Sequence, residues 1–217
     1  MSNLREAQEA VRKMGLRLVE TGLVVGTWGN VSVRVGGHMV ITPTGADYRG
    51  LTAEEMAVVD LATGEWQGPK PSSERSLHRS VYEERPEINA VIHTHAPNAS
   101  TLAAARRELP PILDDVAQLL GPTVRVADYA LPGTQKIVRV TLRALRGRMA
   151  AFLANHGAIC LGRSLDEAFL GCQVLEKGCK AFIEAEFLGG AKGINRFEAW
   201  MMHQVFLRKY SRQGQKK

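Results

Sequence analysis

An apolar run that ends in two histidines constrains this chain more than any other segment. Ala90-Val91-Ile92 predicts a buried strand, and His93-Thr94-His95 follows it directly. In a strand, the side chains at positions i and i+2 project from the same face. His93 and His95 can therefore converge on one metal ion. A single strand histidine is commonly a hydrogen-bonded core residue, so the metal interpretation depends on ligands elsewhere in the chain.

Two further segments supply such ligands. Glu74 follows the pair Ser72-Ser73 at a predicted helix start, and His156 lies in Asn155-His156-Gly157 after another apolar strand. Three imidazoles and one carboxylate form a zinc shell with a displaceable position, as a catalytic metal needs. Alternatively, Glu74 is an acid favoured by the helix dipole, and His156 shapes a turn. His78, on the same helix face as Glu74, is a rival ligand for which we favour a structural role.

Composition and charge limit the class of protein. With 217 residues and 45% apolar content, the chain predicts one domain at 1–210, followed by a flexible basic tail at 211–217. A run of roughly 18 apolar residues and a signal-peptide core are both missing, so we expect a cytoplasmic protein with no membrane partner. The net charge of +6 includes no basic run interleaved with aromatics. We therefore expect an anionic small molecule, and no nucleic acid, as the partner.

Hydrophobic periodicity predicts helices mixed with strands in that single domain. Ser73 and Ser164 are the predicted N-caps of two of the helices. The predicted helices are 4–21, 73–85, 97–106, 134–145, 164–186 and 195–210, and the predicted strands are 30–34, 38–41, 57–60, 90–95, 124–128, 150–154 and 159–161.

Three loops have the composition of a small phosphate site. The segment 26–30 offers glycine backbone and an amide, 42–45 offers a hydroxyl in a tight turn, and the serine pair offers hydroxyls at a helix N-terminus. None of them matches a Walker loop or the GxGxxG fingerprint. The candidate phosphate-binding residues are Thr27, Gly29, Asn30, Thr44, Gly45, Ser72 and Ser73.

Five motifs in this order resemble the class II aldolase/adducin family, and the resemblance spans almost the whole chain. The motifs are Gly26-Thr27-Trp28-Gly29-Asn30-Val31-Ser32, Thr42-Pro43-Thr44-Gly45, Pro71-Ser72-Ser73-Glu74, His93-Thr94-His95 and Asn155-His156-Gly157. A cupin, which also begins with His-x-His, needs a glutamate a few residues later. Here Ala96-Pro97-Asn98-Ala99-Ser100 follows instead, which argues against a cupin.

The resemblance implies a fold and a set of site residues. The implied fold is α/β, a three-layer α/β/α unit around a mixed, mostly antiparallel sheet, assembled as a homotetramer with sites between subunits. The implied metal ligands are His93, His95, His156 and Glu74, with Zn²⁺ as the metal and Mn²⁺ or Co²⁺ as alternatives. Glu74 is also the implied acid/base. The substrate phosphate is implied to contact the residues matching Asn30, Thr44, Gly45, Ser72 and Ser73.

The implied reaction is cleavage of a ketose 1-phosphate to dihydroxyacetone phosphate and an aldehyde. The family places a tyrosine of a neighbouring subunit at the aldehyde end, where this chain has Leu113-Asp114-Asp115. Asp114 or Asp115 is therefore a candidate acid, and Tyr210 matches the family's C-terminal tyrosine. Substrates left open are fuculose 1-phosphate and a 5-deoxy- or methylthio-pentulose 1-phosphate. Alternatives are a sugar-phosphate epimerase, dehydratase or decarboxylase on the same metal site, and a non-catalytic scaffold.

Overall fold

Helices and strands follow one another along the chain in a computed structural model that describes residues 2–213, with the side chains of 3–209. The helices are α1 (Ser2–Glu20), α2 (Arg75–Glu84), α3 (Pro97–Ala105), α4 (Asp114–Leu120), α5 (Gln135–Leu145), α6 (Leu165–Phe187) and α7 (Arg196–Gln213). The strands are β1 (Asn30–Val35), β2 (His38–Ile41), β3 (Ala57–Asp60), β4 (Trp66–Gln67), β5 (Ala90–Thr94), β6 (Arg125–Ala127), β7 (Ala150–Leu153) and β8 (Gly157–Gly162).

The strands form one mixed sheet in the order β4-β3-β2-β1-β5-β8-β7-β6. Every neighbouring pair is antiparallel except β6 and β7, which are parallel. The histidine-bearing strand β5 lies between β1 and β8, in the interior of the sheet. A mixed, mostly antiparallel sheet is therefore confirmed.

Helices cover both faces of this sheet. On β5, Ala90 and Ile92 join one buried cluster with residues of α1, α3, α4 and α6, whereas Val91 joins a second cluster with residues of α2 and α5. Successive strand residues point to opposite faces, so a strand whose residues are all buried needs cover on each side. The predicted three-layer α/β/α architecture is confirmed.

Two predicted helix caps have different outcomes. Ser164 is the N-cap of α6, and its hydroxyl accepts a hydrogen bond from the Glu167 amide at 3.2 Å, as predicted. Ser73 does not cap α2, because the helix begins at Arg75 with Glu74 at the N-cap position and no side-chain cap. The Glu74 carboxylate points instead towards the end of β5. The N-cap prediction for Ser73 was wrong because Glu74 occupies the N-cap position.

Helix α4 was not predicted from the sequence, and it packs against α6 and α7. Helix α7 continues to Gln213, beyond the domain boundary predicted at residue 210. Residues 214–217 lie outside the described part of the chain, so the division into a domain and a tail stays a prediction. Among the described helices, none is both long and apolar enough to cross a membrane.

Candidate metal centre and substrate cavity

The register of the central strands brings the candidate ligands together. Asn30 on β1 is the cross-strand partner of His93 on β5, and His93 is in turn the partner of Ile159 on β8. Cross-strand partners project from the same face of a sheet. Asn30, His93 and the turn that precedes β8 therefore meet at one edge of the sheet.

The three predicted histidines form a tight cluster at that edge. His95 lies one residue beyond the end of β5, and its Nε2 is 2.8 Å from Nε2 of His93. The His156 ring centroid lies 4.7 Å from that of His93 and 4.9 Å from that of His95. One nitrogen from each of the three rings lies within 4.8 Å of the others. This spacing suits nitrogens that share one divalent metal.

Glu74 reaches the same cluster from the start of α2. Its Oε2 is 3.3 Å from His93 Nε2 and accepts a hydrogen bond of 2.8 Å from Asn30 Nδ2. Its backbone N–H donates to the Ser72 hydroxyl at 3.2 Å, which fixes the peptide from which the carboxylate extends. Glu74 is only 5% exposed, so a buried carboxylate faces three imidazoles.

Two unpartnered buried atoms show that a cation fits this arrangement. Among the described residues, Glu74 Oε1 and His156 Nδ1 are buried without a hydrogen-bond partner, and they face each other at 3.9 Å. A buried carboxylate oxygen and a buried imidazole nitrogen without partners are costly unless an ion or another group satisfies them. The donor set of nitrogen and carboxylate oxygen is one that Zn²⁺ accepts, as do other divalent transition metals.

Burial and hydrogen bonding shift the pKa values of His95, His156 and Glu74 towards the protonation states that bind metals. His93 Nδ1 lies 2.9 Å from the Ala158 carbonyl oxygen, which can only accept, so Nδ1 donates to that carbonyl and Nε2 faces His95 and Glu74. Burial lowers the pKa of His95 to about 3 and that of His156 to about 4. Burial alone raises the pKa of Glu74, but His93 and the Asn30 hydrogen bond outweigh it and lower the pKa to about 2.

A polar cavity of about 260 Å³ opens directly onto the cluster. All seven predicted phosphate-binding residues line it, together with Glu74, His95 and His156. Backbone amides, hydroxyls and one amide side chain thus surround a space beside a metal-type donor set. The chemistry of this lining suits an oxyanion next to a coordinated group. The full lining is Thr27, Trp28, Gly29, Asn30, Pro43, Thr44, Gly45, Ser72, Ser73, Glu74, His95, Pro132 and His156.

Backbone contacts hold the phosphate-type loops in place. The Ser72 amide donates to the Thr42 carbonyl, and the Thr44 amide donates to the Lys70 carbonyl, both at 3.0 Å. Gly29 has a φ of +92° and lies so close to β5 that a Cβ there would stand 2.7 Å from the His93 carbonyl oxygen. Only glycine fits that approach without strain.

The turn that carries His156 is held just as closely. Asn155 adopts a left-handed φ of +57°, and its Oδ1 accepts from Arg106 Nη2 at 3.2 Å. A Cβ on Gly157 would lie 2.3 Å from the Thr94 carbonyl oxygen. Asparagine and glycine are the residues that such a turn needs. The predicted strand–turn–strand at Asn155-His156-Gly157 is confirmed.

The remaining predicted catalytic residues lie elsewhere in the chain. Asp114 and Asp115 form the first turn of α4 and do not line the cavity, and Asp115 is ion-paired with Lys177. Both were predicted to act from a neighbouring subunit, so one chain leaves their role a prediction. The side chain of Tyr210 lies outside the described residues. A larger groove of about 640 Å³ runs along α7 beside Gln118 of α4, and none of the predicted site residues lines it.

Two features of the site go beyond the sequence-based predictions. His78 is fully buried, and its Nδ1 lies 2.7 Å from the Ser32 hydroxyl, which is also 2.7 Å from the Tyr82 hydroxyl. This buried network beneath Asn30 and Glu74 supports the structural role favoured for His78. The second feature is Trp28, whose ring lies 5.7 Å from that of His95. In the sequence, the signal for this contact is that Trp28 is an aromatic residue in a loop flanked by glycines.

Comparison with known families gives one match over most of the chain. Residues 9–183 match the model described as the Class II Aldolase and Adducin N-terminal domain.

Individual relatives and solved structures agree with that match. The chain is 43% identical over 148 residues to the 5-methylthioribulose-1-phosphate/5-deoxyribulose-1-phosphate aldolase of Rhodospirillum rubrum, covering 68% of this chain and 66% of the relative. It is 32% identical over 192 residues to the 5-deoxy-D-ribulose 1-phosphate aldolase of Bacillus thuringiensis, covering 87% and 90%. A solved L-fuculose 1-phosphate aldolase superposes with a TM-score of 0.89 at 34% identity, covering 93% and 96%.

Proposed function

This chain belongs to the class II aldolase and adducin family and is an aldolase, and from that premise we propose that it cleaves a ketose 1-phosphate to dihydroxyacetone phosphate and an aldehyde. The candidate substrates are fuculose 1-phosphate and a 5-deoxy- or methylthio-pentulose 1-phosphate. The observation that carries the proposal is the pair of buried, unpartnered atoms, Glu74 Oε1 and His156 Nδ1, at the floor of a cavity lined by amides and hydroxyls.

The metal assignment rests on the donor set. His93, His95, His156 and Glu74 are the residues that would hold Zn²⁺, with Mn²⁺ or Co²⁺ as alternatives. When bound, such a metal supplies a Lewis acid that polarises the ketose carbonyl. The Ala158 carbonyl orients His93 and Asn30 orients Glu74, so the protein fixes the ligands before a metal arrives.

The polar cavity would bind and orient the substrate. Thr44, Gly45, Ser72 and Ser73, with Thr27, Gly29 and Asn30, would hold the phosphate on C1 through hydroxyls, an amide side chain and backbone N–H groups. Asn30 would link that phosphate site to Glu74, because its Nδ2 donates to the Glu74 carboxylate. Anchoring the phosphate would place C2 and C3 of the sugar beside the histidines and Glu74. Holding the reacting atoms in this geometry would raise the rate of cleavage.

Glu74 is the proposed proton carrier at C3. Cleavage breaks the C3–C4 bond and leaves its electron pair with C3, while the C4 hydroxyl loses its proton as the aldehyde forms. A proton must then reach C3 to complete dihydroxyacetone phosphate. Among the residues that the structure describes, Glu74 is the one carboxylate that lines the cavity, so it is the group within reach to exchange that proton.

Residues of a neighbouring subunit would complete the site at the aldehyde end. We propose a homotetramer with sites between subunits, in which Asp114 or Asp115 takes the place of the family's tyrosine and Tyr210 matches its C-terminal tyrosine. Asp114→Asn and Asp115→Asn separate the two acids. The one that acts should lower kcat at least about tenfold with zinc retained, and the other should stay within about twofold. Unchanged kcat in both variants would remove this role.

The decisive experiment measures bound metal and carbon–carbon cleavage on the same purified protein. We expect about one zinc per subunit and release of dihydroxyacetone phosphate from at least one member of a ketose 1-phosphate panel. His95→Ala should lose both metal and activity, and stoichiometric zinc in that variant would contradict the ligand assignment. Zinc without cleavage of any panel member, but with epimerised, dehydrated or decarboxylated product, would replace the proposal with that reaction.

A further inference from the structure

A second space adjoins the polar cavity on the far side of the histidines. It is an open cleft of about 330 Å³, lined by Val25, Trp28, His95, Asn155 and His156. Trp28, His95 and His156 line both spaces, so the two meet at the metal-type cluster. Apart from the two histidines and Asn155, the described residues that line the cleft are a valine and a tryptophan, with no hydroxyl.

The backbone fixes Trp28 at the mouth of this cleft. Its amide donates to the Val25 carbonyl at 3.3 Å, and the next residue, Gly29, is held against β5 by the close approach described above. The Tyr48 hydroxyl also donates to the Gly29 carbonyl at 2.8 Å. Trp28 and Val25 nevertheless remain 64% and 68% exposed. Because these two large apolar side chains are exposed, they do not stabilise the core. Their position beside the histidine cluster points instead to contact with a ligand.

We propose that Trp28 and Val25 bind the distal end of the substrate, C4 and beyond, and select ketose 1-phosphates whose distal end is a methyl or methylthio group. This inference rests on the proposed function. With the C1 phosphate in the polar cavity and C3 beside Glu74, the carbons beyond C4 extend past His95 into the cleft.

The polarity of the cleft sets the preference. Apart from the histidines, its polar side chain is Asn155, whose Oδ1 already accepts from Arg106. A methyl group gains dispersion contacts with Trp28 and Val25, whereas a distal hydroxyl gains fewer of them and has the Asn155 Nδ2 donor, among the lining side chains other than the histidines, to pair with. A thioether gains more, because sulfur packs favourably against an aromatic ring.

The test compares two substrates that differ only at C5: 5-methylthioribulose 1-phosphate and ribulose 1-phosphate. We expect wild-type kcat/KM to favour the methylthio compound by at least about tenfold, the range that an apolar pocket achieves. Trp28→Ala should reduce that ratio about tenfold, because activity on the methylthio substrate falls about tenfold more than activity on ribulose 1-phosphate, while zinc content stays unchanged. Trp28→Phe should keep most of the preference. Trp66→Ala, at another exposed tryptophan on the edge strand, is the matched control and should behave as wild type.

A binding measurement gives a second readout without turnover. In the Glu74→Gln background, titration calorimetry should show that Trp28→Ala weakens binding of the methylthio compound about tenfold more than it weakens binding of ribulose 1-phosphate. A wild-type preference that Trp28→Ala leaves intact in both assays would overturn the inference while leaving the aldolase standing. Failure of the wild type to cleave either compound, or any other ketose 1-phosphate, would instead overturn the proposed function.

Discussion

The contact between Gly29 and the His93 carbonyl gives a sharp prediction about stability, because the same loop contains a matched control. Gly29 and Gly26 both have positive φ, at +92° and +62°. A Cβ on Gly29 would stand 2.7 Å from the His93 carbonyl oxygen and 2.8 Å from Val24 Cγ2, whereas a Cβ on Gly26 would meet nothing within 4 Å. Gly26→Ala therefore measures backbone strain alone, and Gly29→Ala measures strain plus a clash.

The magnitude follows from these two terms. An L-residue in the left-handed region costs roughly 1–2 kcal/mol, which is the expected loss for Gly26→Ala. Overpacking adds about 1–3 kcal/mol, and the His93 carbonyl cannot retreat cheaply because β5 is paired on both sides. Gly29→Ala should thus lose about 2–5 kcal/mol in all. A loss of about 3 kcal/mol corresponds to a Tm lower by about 6–12 °C for a chain of this length.

Urea unfolding of both variants at one subunit concentration and one zinc concentration measures the difference, because ligand and subunit association also shift stability. The Gly29→Ala variant should also bind zinc more weakly, since the strand that carries His93 must shift. If the two variants lose the same free energy of unfolding within about 0.5 kcal/mol, the close approach does not hold this loop and the reasoning fails.

Three further predictions concern the metal and the buried network. Glu74→Gln should retain zinc on three histidines and lower kcat by at least about 100-fold. Metal analysis and an assay of product release measure these two effects. A near-normal kcat would remove Glu74 as the proton carrier. Ser32→Ala should lower the free energy of unfolding by about 2–4 kcal/mol in urea, because His78 and Tyr82 each lose a buried partner; a loss below about 1 kcal/mol contradicts the network. Zinc at about 100 times its Kd should raise the stability of the metal-free protein by about 2.7 kcal/mol in a thermal scan, and should leave His95→Ala unmoved; equal shifts in both proteins contradict the ligand set.

Local patterns in the sequence predicted much of this site. The spacing of His93 and His95 predicts a shared face, and the structure brings their nitrogens together although His95 lies just past the strand. The seven predicted phosphate-binding residues line one cavity. In each case, turn chemistry or strand periodicity determines the local geometry, so the signal lies within a few residues.

Features that depend on tertiary packing were not predictable. Helix α4 has seven residues and no side-chain cap, so its contacts with α6 and α7 determine it. Ser73 has the composition of an N-cap, but the packing of the Glu74 carboxylate against Asn30 and His93 moves the helix start. The hydrogen bond from Asn30 depends on the β1–β5 register, which joins strands far apart in sequence.

The pairing of β5 with β8 also determines the stage of folding at which the three histidines could first bind a metal. His93 and Ala158, which orients its imidazole, are 65 positions apart, and His156 belongs to the turn that leads into β8. Closing that span has an entropic cost before any ligand–metal bond can form. The three imidazoles therefore come together only after the centre of the sheet has formed. We therefore expect the candidate ligands to bind a metal only after folding, and we expect the metal-free protein to be folded.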